Sequence, residues 1–172
     1  MAITIQVDSR ENKNEHVLNQ LKELGCNFVN SKLYVGDYTL LHKQDICIDR
    51  KASLLELANN ICNSENHQAF KNELMRAKES NIKLYILIED EYIYNLDGVK
   101  YFKCPTYKST QYKTVDGARV LAHKKGDKRS QVNFEALGKA MKTMEEKYGC
   151  EFLFAKKKDF GKKILWLLGV NF

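Results

Sequence analysis

Five consecutive apolar residues, Leu84-Tyr85-Ile86-Leu87-Ile88, run straight into Glu89. Strand side chains alternate between the two faces of a sheet, so an unbroken apolar run of this length marks a strand covered on both sides. The rest of the chain supplies the cover. Val17, Leu18, Leu21 and Leu24 recur at helical spacing after Asp8 or Ser9, with Gly25 as the stop. Leu54, Leu57, Ala58 and Ile61 follow Ser53, and Phe70, Leu74 and Ala77 share a face of a helix from about His67 to Glu79. Phe134, Leu137, Met141, Met144 and Tyr148 form a fourth stripe, and Ile164, Leu165 and Leu168 a fifth, after Asp159. Between them Ile3–Val7, Cys26 to about Tyr34, and Glu151–Ala155 read as strands. Strands alternating with helices predict an α/β layered domain, a mixed sheet flanked by helices.

At 172 residues the chain suits one domain that buries about 70% of its unfolded surface. An apolar fraction of 44% and evenly mixed charge exclude intrinsic disorder. No apolar stretch approaches the roughly 20 residues of a membrane-spanning helix, and the N-terminus lacks the basic and apolar regions of a secretion signal. Five cysteines, an odd number without a C-x-x-C pair, predict a reducing compartment with neither a disulfide frame nor a structural zinc.

Gly36–Lys51, GDYTLLHKQDICIDRK, reads as a hairpin turning near His42–Gln44. With Asp37 opposite Asp49, Tyr38 faces Ile48 and Leu40 faces Ile46 on one side. Asp37, Thr39, Cys47, Asp49 and Lys51 share the other. A one-residue slip would mix the two sets. This register brings two carboxylates within about 5 Å at Cβ, with a lysine two positions along. Carboxylates that close repel unless a cation lies between them, and hard oxygen donors suit Mg²⁺ or Mn²⁺. Taken alone, Asp49-Arg50-Lys51 is also an ordinary triplet of a solvated edge strand.

The net charge of +6 is concentrated. Between Gly98 and Ser130 lie Lys100, Lys103, Lys108, Lys113, Arg119, Lys124, Lys125, Lys128 and Arg129, against Asp116 and Asp127 only. Tyr101, Phe102, Tyr107 and Tyr112 are interleaved with them. Cations for phosphate and ring faces for bases are what a nucleic-acid groove requires; a solvated loop is the equal alternative.

Four motifs in order, Val7-Asp8-Ser9-Arg10-Glu11, Val35-Gly36-Asp37-Tyr38, Ile48-Asp49-Arg50-Lys51 and Tyr85-Ile86-Leu87-Ile88-Glu89, resemble the XPF-type nuclease domain of the PD-(D/E)XK superfamily. Ser53 with Leu54, Glu56 with Leu57, and Phe70 with Glu73 extend the likeness, which is dense over about 3–89 and looser over 134–168. The resemblance implies a restriction-endonuclease-like three-layer domain spanning 1–172, with the basic segment at about 97–131 as an insertion. It implies a DNA endonuclease with Asp37 and Asp49 as metal carboxylates, the Arg50 carbonyl as a third ligand and Lys51 as the catalytic lysine. Asp8 and Glu11 would stand beside the metal, although Asp8-x-x-Glu11 is also a helix capping box. Arg10 and Arg50 would hold phosphate or form ion pairs, and Glu89 would orient Lys51 or be a surface charge. Glu56 repeats the capping spacing from Ser53 and stays outside the site.

The sequence departs from the family pattern at Asp49, where Glu is commoner, at Leu55, where Asp is common, and at Asn66-His67-Gln68-Ala69, which replaces an arginine. With no tandem helix–hairpin–helix module in these residues, the chain looks most like compact phage or bacterial members, acting in the cytoplasm of a bacterium or infected host. The reading is a Mg²⁺- or Mn²⁺-dependent endonuclease acting on DNA, including branched or single-strand/duplex junction DNA; a homodimer is left open. Its rivals are an inactive nuclease-fold binding or scaffold module and a basic RNA-binding domain.

Overall fold

A computed structural model describes residues 3–102, 112–115, 118–121 and 132–170. Six strands, β1 (Thr4–Asp8), β2 (Asn27–Ser31), β3 (Tyr38–Leu40), β4 (Lys43–Lys51), β5 (Lys83–Glu89) and β8 (Glu151–Ala155), form one mixed sheet. Their order is β2-β1-β3-β4-β5-β8, with β3 antiparallel to both its neighbours and the other pairs parallel. A separate antiparallel pair, β6 (Tyr112–Val115) and β7 (Ala118–Leu121), lies within the basic segment.

Helices α1 (Glu15–Glu23) and α5 (Phe160–Leu167) cover one face of the sheet; α2 (Leu54–Cys62), α3 (Ser64–Glu79) and α4 (Phe134–Tyr148) cover the other. The apolar run of β5 serves both cores. Leu84, Ile86 and Ile88 pack toward α2–α4, and Leu87 packs toward α1 and α5. This is the α/β layered domain with a mixed sheet that the alternation predicts. Among the described residues no helix is long and apolar enough to cross a membrane.

Local chemistry sets the helix ends. Ser53 caps α2 by accepting from the Glu56 N–H, while Glu56 reaches back to the Ala52 N–H, so that the expected capping pair forms one residue displaced on its return side. Asn63 caps α3, which therefore starts three residues before the apolar stripe suggests. α1 is different. Its N-cap is Asn14, six residues beyond Asp8, and no capping box involving Asp8 and Glu11 forms.

The hairpin has the predicted register where it matters. Tyr38 pairs with Ile48 and Thr39 with Cys47, which sets Asp37 opposite Asp49. Beyond Thr39 the expected Leu40–Ile46 pair is replaced by Leu40–Lys43, and the turn tightens to Leu41–His42. At this irregularity the Thr39 hydroxyl donates to the Ile46 carbonyl, while on the other side of β3 Leu40 keeps its pairing with Ile5 of β1.

In the basic segment, a 3₁₀ helix at Leu96–Tyr101 packs against α4, with Val99 fully buried. Lys100 is exposed. Lys113 and Arg119 lie in β6 and β7, of which the backbone is described. Lys103, Lys108, Lys124, Lys125, Lys128 and Arg129 lie outside the described residues.

Candidate active site

The turn into β3 carries Asp37, β4 carries Asp49, and α3 closes over them. Gly36 adopts φ +70°, and a Cβ there would stand 3.0 Å from the Ile48 carbonyl oxygen, so the approach to Asp37 requires glycine. The Gly36 N–H donates to Glu73 Oε1 of α3 (2.9 Å), and the Asp37 N–H donates to the Ile48 carbonyl (2.7 Å). Asp37 Oδ2 in turn accepts from the Arg50 N–H at 2.7 Å. The turn is therefore fixed from three directions.

Asp49 and Lys51 are both buried polar residues on the face of β4 turned to α2 and α3. The Lys51 ammonium lies 2.8 Å from both Asp49 oxygens, hydrogen-bonding Oδ1 and leaving Oδ2 without a hydrogen-bond partner. It also faces the Phe70 ring, 5.5 Å from the centroid. Burial would lower the Lys51 pKa, but the charge and hydrogen bond of Asp49, with the charge of Asp37, raise it instead. Burial and then the Asp49 charge push the Asp37 carboxyl well above the usual carboxylate range, and the same two causes raise Glu73.

These groups line a cleft of about 550 Å³ shared with Asp8, Arg10, Glu11 and the α2–α3 residues Asn60, Asn66, Asn72 and Arg76. Three acids facing one ammonium are short of positive charge. Asp49, held by a single ammonium, stands beside Asp37, whose charged form burial and the Asp49 charge disfavour, and this pairing fits a hard divalent cation. Among the described residues no three His, Cys, Asp or Glu side chains converge on one point. Asp37 and Asp49 thus offer the pair of carboxylates that Mg²⁺ commonly takes, completed by backbone oxygen, water and phosphate.

The other sequence candidates separate into two groups. Asp8, 2% exposed, is engaged by its neighbours: Oδ1 accepts from the Arg10 N–H and Nε, and Oδ2 accepts from Arg10 Nη2 and the Leu33 N–H, all at 2.7–2.8 Å. Burial alone would push its carboxyl up, but the Arg10 and Leu33 hydrogen bonds hold it below the usual range. Asp8→Asn is expected to cost about 1.5–3 kcal/mol, the worth of hydrogen bonds to a charged group. Because the folded pKa is depressed, that contribution is complete above the unfolded value near 3.8 and fades as pH falls through the folded one. Urea unfolding at pH 7 and pH 3 checks this; an equal gap between wild type and variant at both would refute it.

Arg50, on the opposite face of β4 from Asp49 and Lys51, is buried, with only 5% of its side chain exposed. Its Nη1 donates to Glu11 and its Nε to Glu89, both at 2.8 Å, and His16 Nε2 lies 2.7 Å from the same Glu89 oxygen. The guanidinium is an ion-pair centre, the structural alternative of the sequence reading. Glu89 accordingly neither orients Lys51 nor stands free at the surface. Sequence reasoning left Glu73 and Arg76 out of the site. Glu73, three residues on from Phe70, lies on the neighbouring flank of α3, and Arg76 lies three beyond Glu73; that stepwise spacing is the available signal.

Comparison with curated protein sequences gives no match. Among solved structures, XPF from Aeropyrum pernix superposes with a TM-score of 0.62 at 19% identity, over 96% of this chain and 63% of that one. XPF from the same organism in complex with DNA gives 0.60 at 18% identity, over 97% and 64%. The chain thus spans under two thirds of the length of these archaeal proteins and shares their fold. The ERCC4 domain model matches residues 7–165, from the end of β1 into α5, and the chain belongs to the ERCC4 domain family.

Proposed function

We propose that this chain is a divalent-metal-dependent DNA endonuclease that hydrolyses phosphodiester bonds, with 1–172 acting as one nuclease domain. The observation that carries the reading is the Asp37–Asp49 pair set across one hairpin with the Lys51 ammonium against it, at the floor of an open cleft. Family membership and the DNA-bound Aeropyrum pernix relative support the substrate class.

Asp37, Asp49 and the Arg50 carbonyl would hold Mg²⁺ or Mn²⁺, which supplies a Lewis acid for a phosphoryl oxygen and a water of lowered pKa. The chain's own residues do the rest. The Arg50 N–H fixes the Asp37 carboxylate, and Glu73 fixes the turn that carries it. Lys51, paired with a carboxylate and screened by Phe70, is a cation that donates to phosphate oxygen or water and offsets charge developing on phosphorus. Glu11 acts through Arg50. Arg10, paired with Asp8 and 62% exposed at its side chain, would meet phosphate.

Purified protein incubated with plasmid, branched oligonucleotides and RNA tests this. Cleavage of DNA is expected with Mg²⁺ or Mn²⁺ and none in EDTA. Binding without cleavage in every metal would favour the inactive module, and cutting in EDTA would refute the metal site.

A further inference from the structure

The cleft has a rim of which the chemistry above uses only Arg10. The loop leading into Asp37 offers successive carbonyls to two arginines from different elements. The Leu33 oxygen accepts from Arg10 Nη2 at 3.2 Å, and the Tyr34 oxygen accepts from Arg76 Nε at 3.4 Å. Arg10 comes from the turn after β1 and Arg76 from α3, and both line the cleft. The Leu33 N–H, donating to Asp8, ties the same loop from its other side. On this pinned backbone Tyr34 is 63% exposed, with the Arg76 guanidinium 5.8 Å from its ring centroid.

A single exposed tyrosine is ordinary. This one stands on a braced loop, with a cation at its ring, at the mouth of a cleft floored by acids. That floor repels phosphate, so a polyanion entering the cleft needs cations at the entrance. Arg10 Nη1 and both Arg76 Nη groups make no hydrogen bond among the described residues, and guanidinium matches phosphate in shape as well as charge. The exposed ring completes the match. Bases inside a duplex have both faces covered by their neighbours, so a protein ring can stack only on an unpaired base.

We propose that Arg10, Tyr34 and Arg76 form a subsite for one unpaired nucleotide beside the scissile phosphate, the guanidiniums on its phosphates and the Tyr34 ring on its base. The subsite rests on the nuclease reading above and assigns three residues of this chain to one nucleotide of its substrate.

The test is binding in EDTA by the full chain carrying Asp37→Asn, with fluorescein-labelled blunt duplex, the same duplex with a single-stranded overhang, and single-stranded DNA. Adding Tyr34→Ala is expected to weaken overhang and single-strand binding about 10-fold, the worth of one stacked base, and to leave blunt duplex within about twofold. Tyr34→Phe, which keeps the ring, is expected to bind all three like its parent. Arg76→Ala is expected to weaken overhang binding and reduce its salt slope by about 0.7, one single-strand phosphate contact. Overhang binding indifferent to Tyr34→Ala, or Tyr34→Phe failing as badly as Tyr34→Ala, would overturn the subsite. If wild type cuts DNA with Mg²⁺ while either result is obtained, the nuclease reading stands and this inference alone falls. If the parent binds none of the three DNAs and wild type cuts nothing, both fall.

Discussion

Asp37→Asn is expected to lower cleavage by at least about 10²–10³-fold, the scale of losing one preorganised electrostatic partner of the reaction, while DNA affinity and fold persist. Asparagine matches the shape of aspartate and keeps an oxygen that can accept from the Arg50 N–H, the 2.7 Å bond that fixes this side chain. What it removes is the second negative charge beside Asp49. That charge is unfavourable in the metal-free protein, because burial and Asp49 together disfavour ionised Asp37. The variant is therefore expected to melt at or above the wild-type temperature without metal. The order should reverse when metal is added. A ligand that binds only the folded state stabilises it by about 2.7 kcal/mol at 100 times its Kd, so saturating Mg²⁺ should raise the wild-type melting temperature and leave the variant nearly unmoved. A variant that cuts at the wild-type rate, or that gains the same thermal shift from Mg²⁺, would remove Asp37 from the metal site.

Much of this site was legible before any coordinates because its parts are local. Strand alternation sets Asp37, Thr39, Cys47, Asp49 and Lys51 on one face, and a one-residue slip from the observed pairing of Tyr38 with Ile48 mixes apolar and polar sides. The apolar run of β5 announces its two-sided burial in the same way. Parity also carried a message about Arg50: a residue between Asp49 and Lys51 must point away from them. What it meets there was not readable, since Glu11 and Glu89 are each 39 residues away and Glu89 enters through the pairing of β4 with β5. Asp8 misled for the opposite reason. Its spacing from Glu11 satisfies a local capping rule, but its carboxylate is claimed by Arg10 two residues on and by Leu33 across the β1–β2 edge. Local turns of this kind compete with helix caps for the same side-chain oxygen. Glu73 was hidden by the reach of α3, whose approach to Gly36 depends on the packing of two layers.

Arg50→Met should produce the largest loss of stability, about 3–5 kcal/mol, against a total of about 5–15 kcal/mol for a domain of this kind. The methionine fills much of the volume and keeps contact with Phe160, whose ring centroid lies 5.9 Å from the guanidinium carbon. It leaves Glu11 without its cation and Glu89 with His16 alone, in a region where Glu89 is 9% and Glu11 18% exposed at the side chain. The cost lies in those orphaned charges more than in the lost pairing, so it should be recoverable without restoring the arginine. Adding Glu11→Gln and Glu89→Gln to Arg50→Met is expected to return half or more of the loss, a non-additivity that urea midpoints of the single, double and triple variants would measure. Because the guanidinium is turned away from the cleft, the folded single variant should bind DNA with an unchanged salt slope, whereas an arginine on phosphate would reduce it by about 0.9 on duplex. A slope that falls while the urea midpoint holds would reassign Arg50 from the ion-pair centre to the substrate. The two arginines of the family motifs would then exchange the roles their burial gives them, with Arg10 at 62% side-chain exposure and Arg50 at 5%.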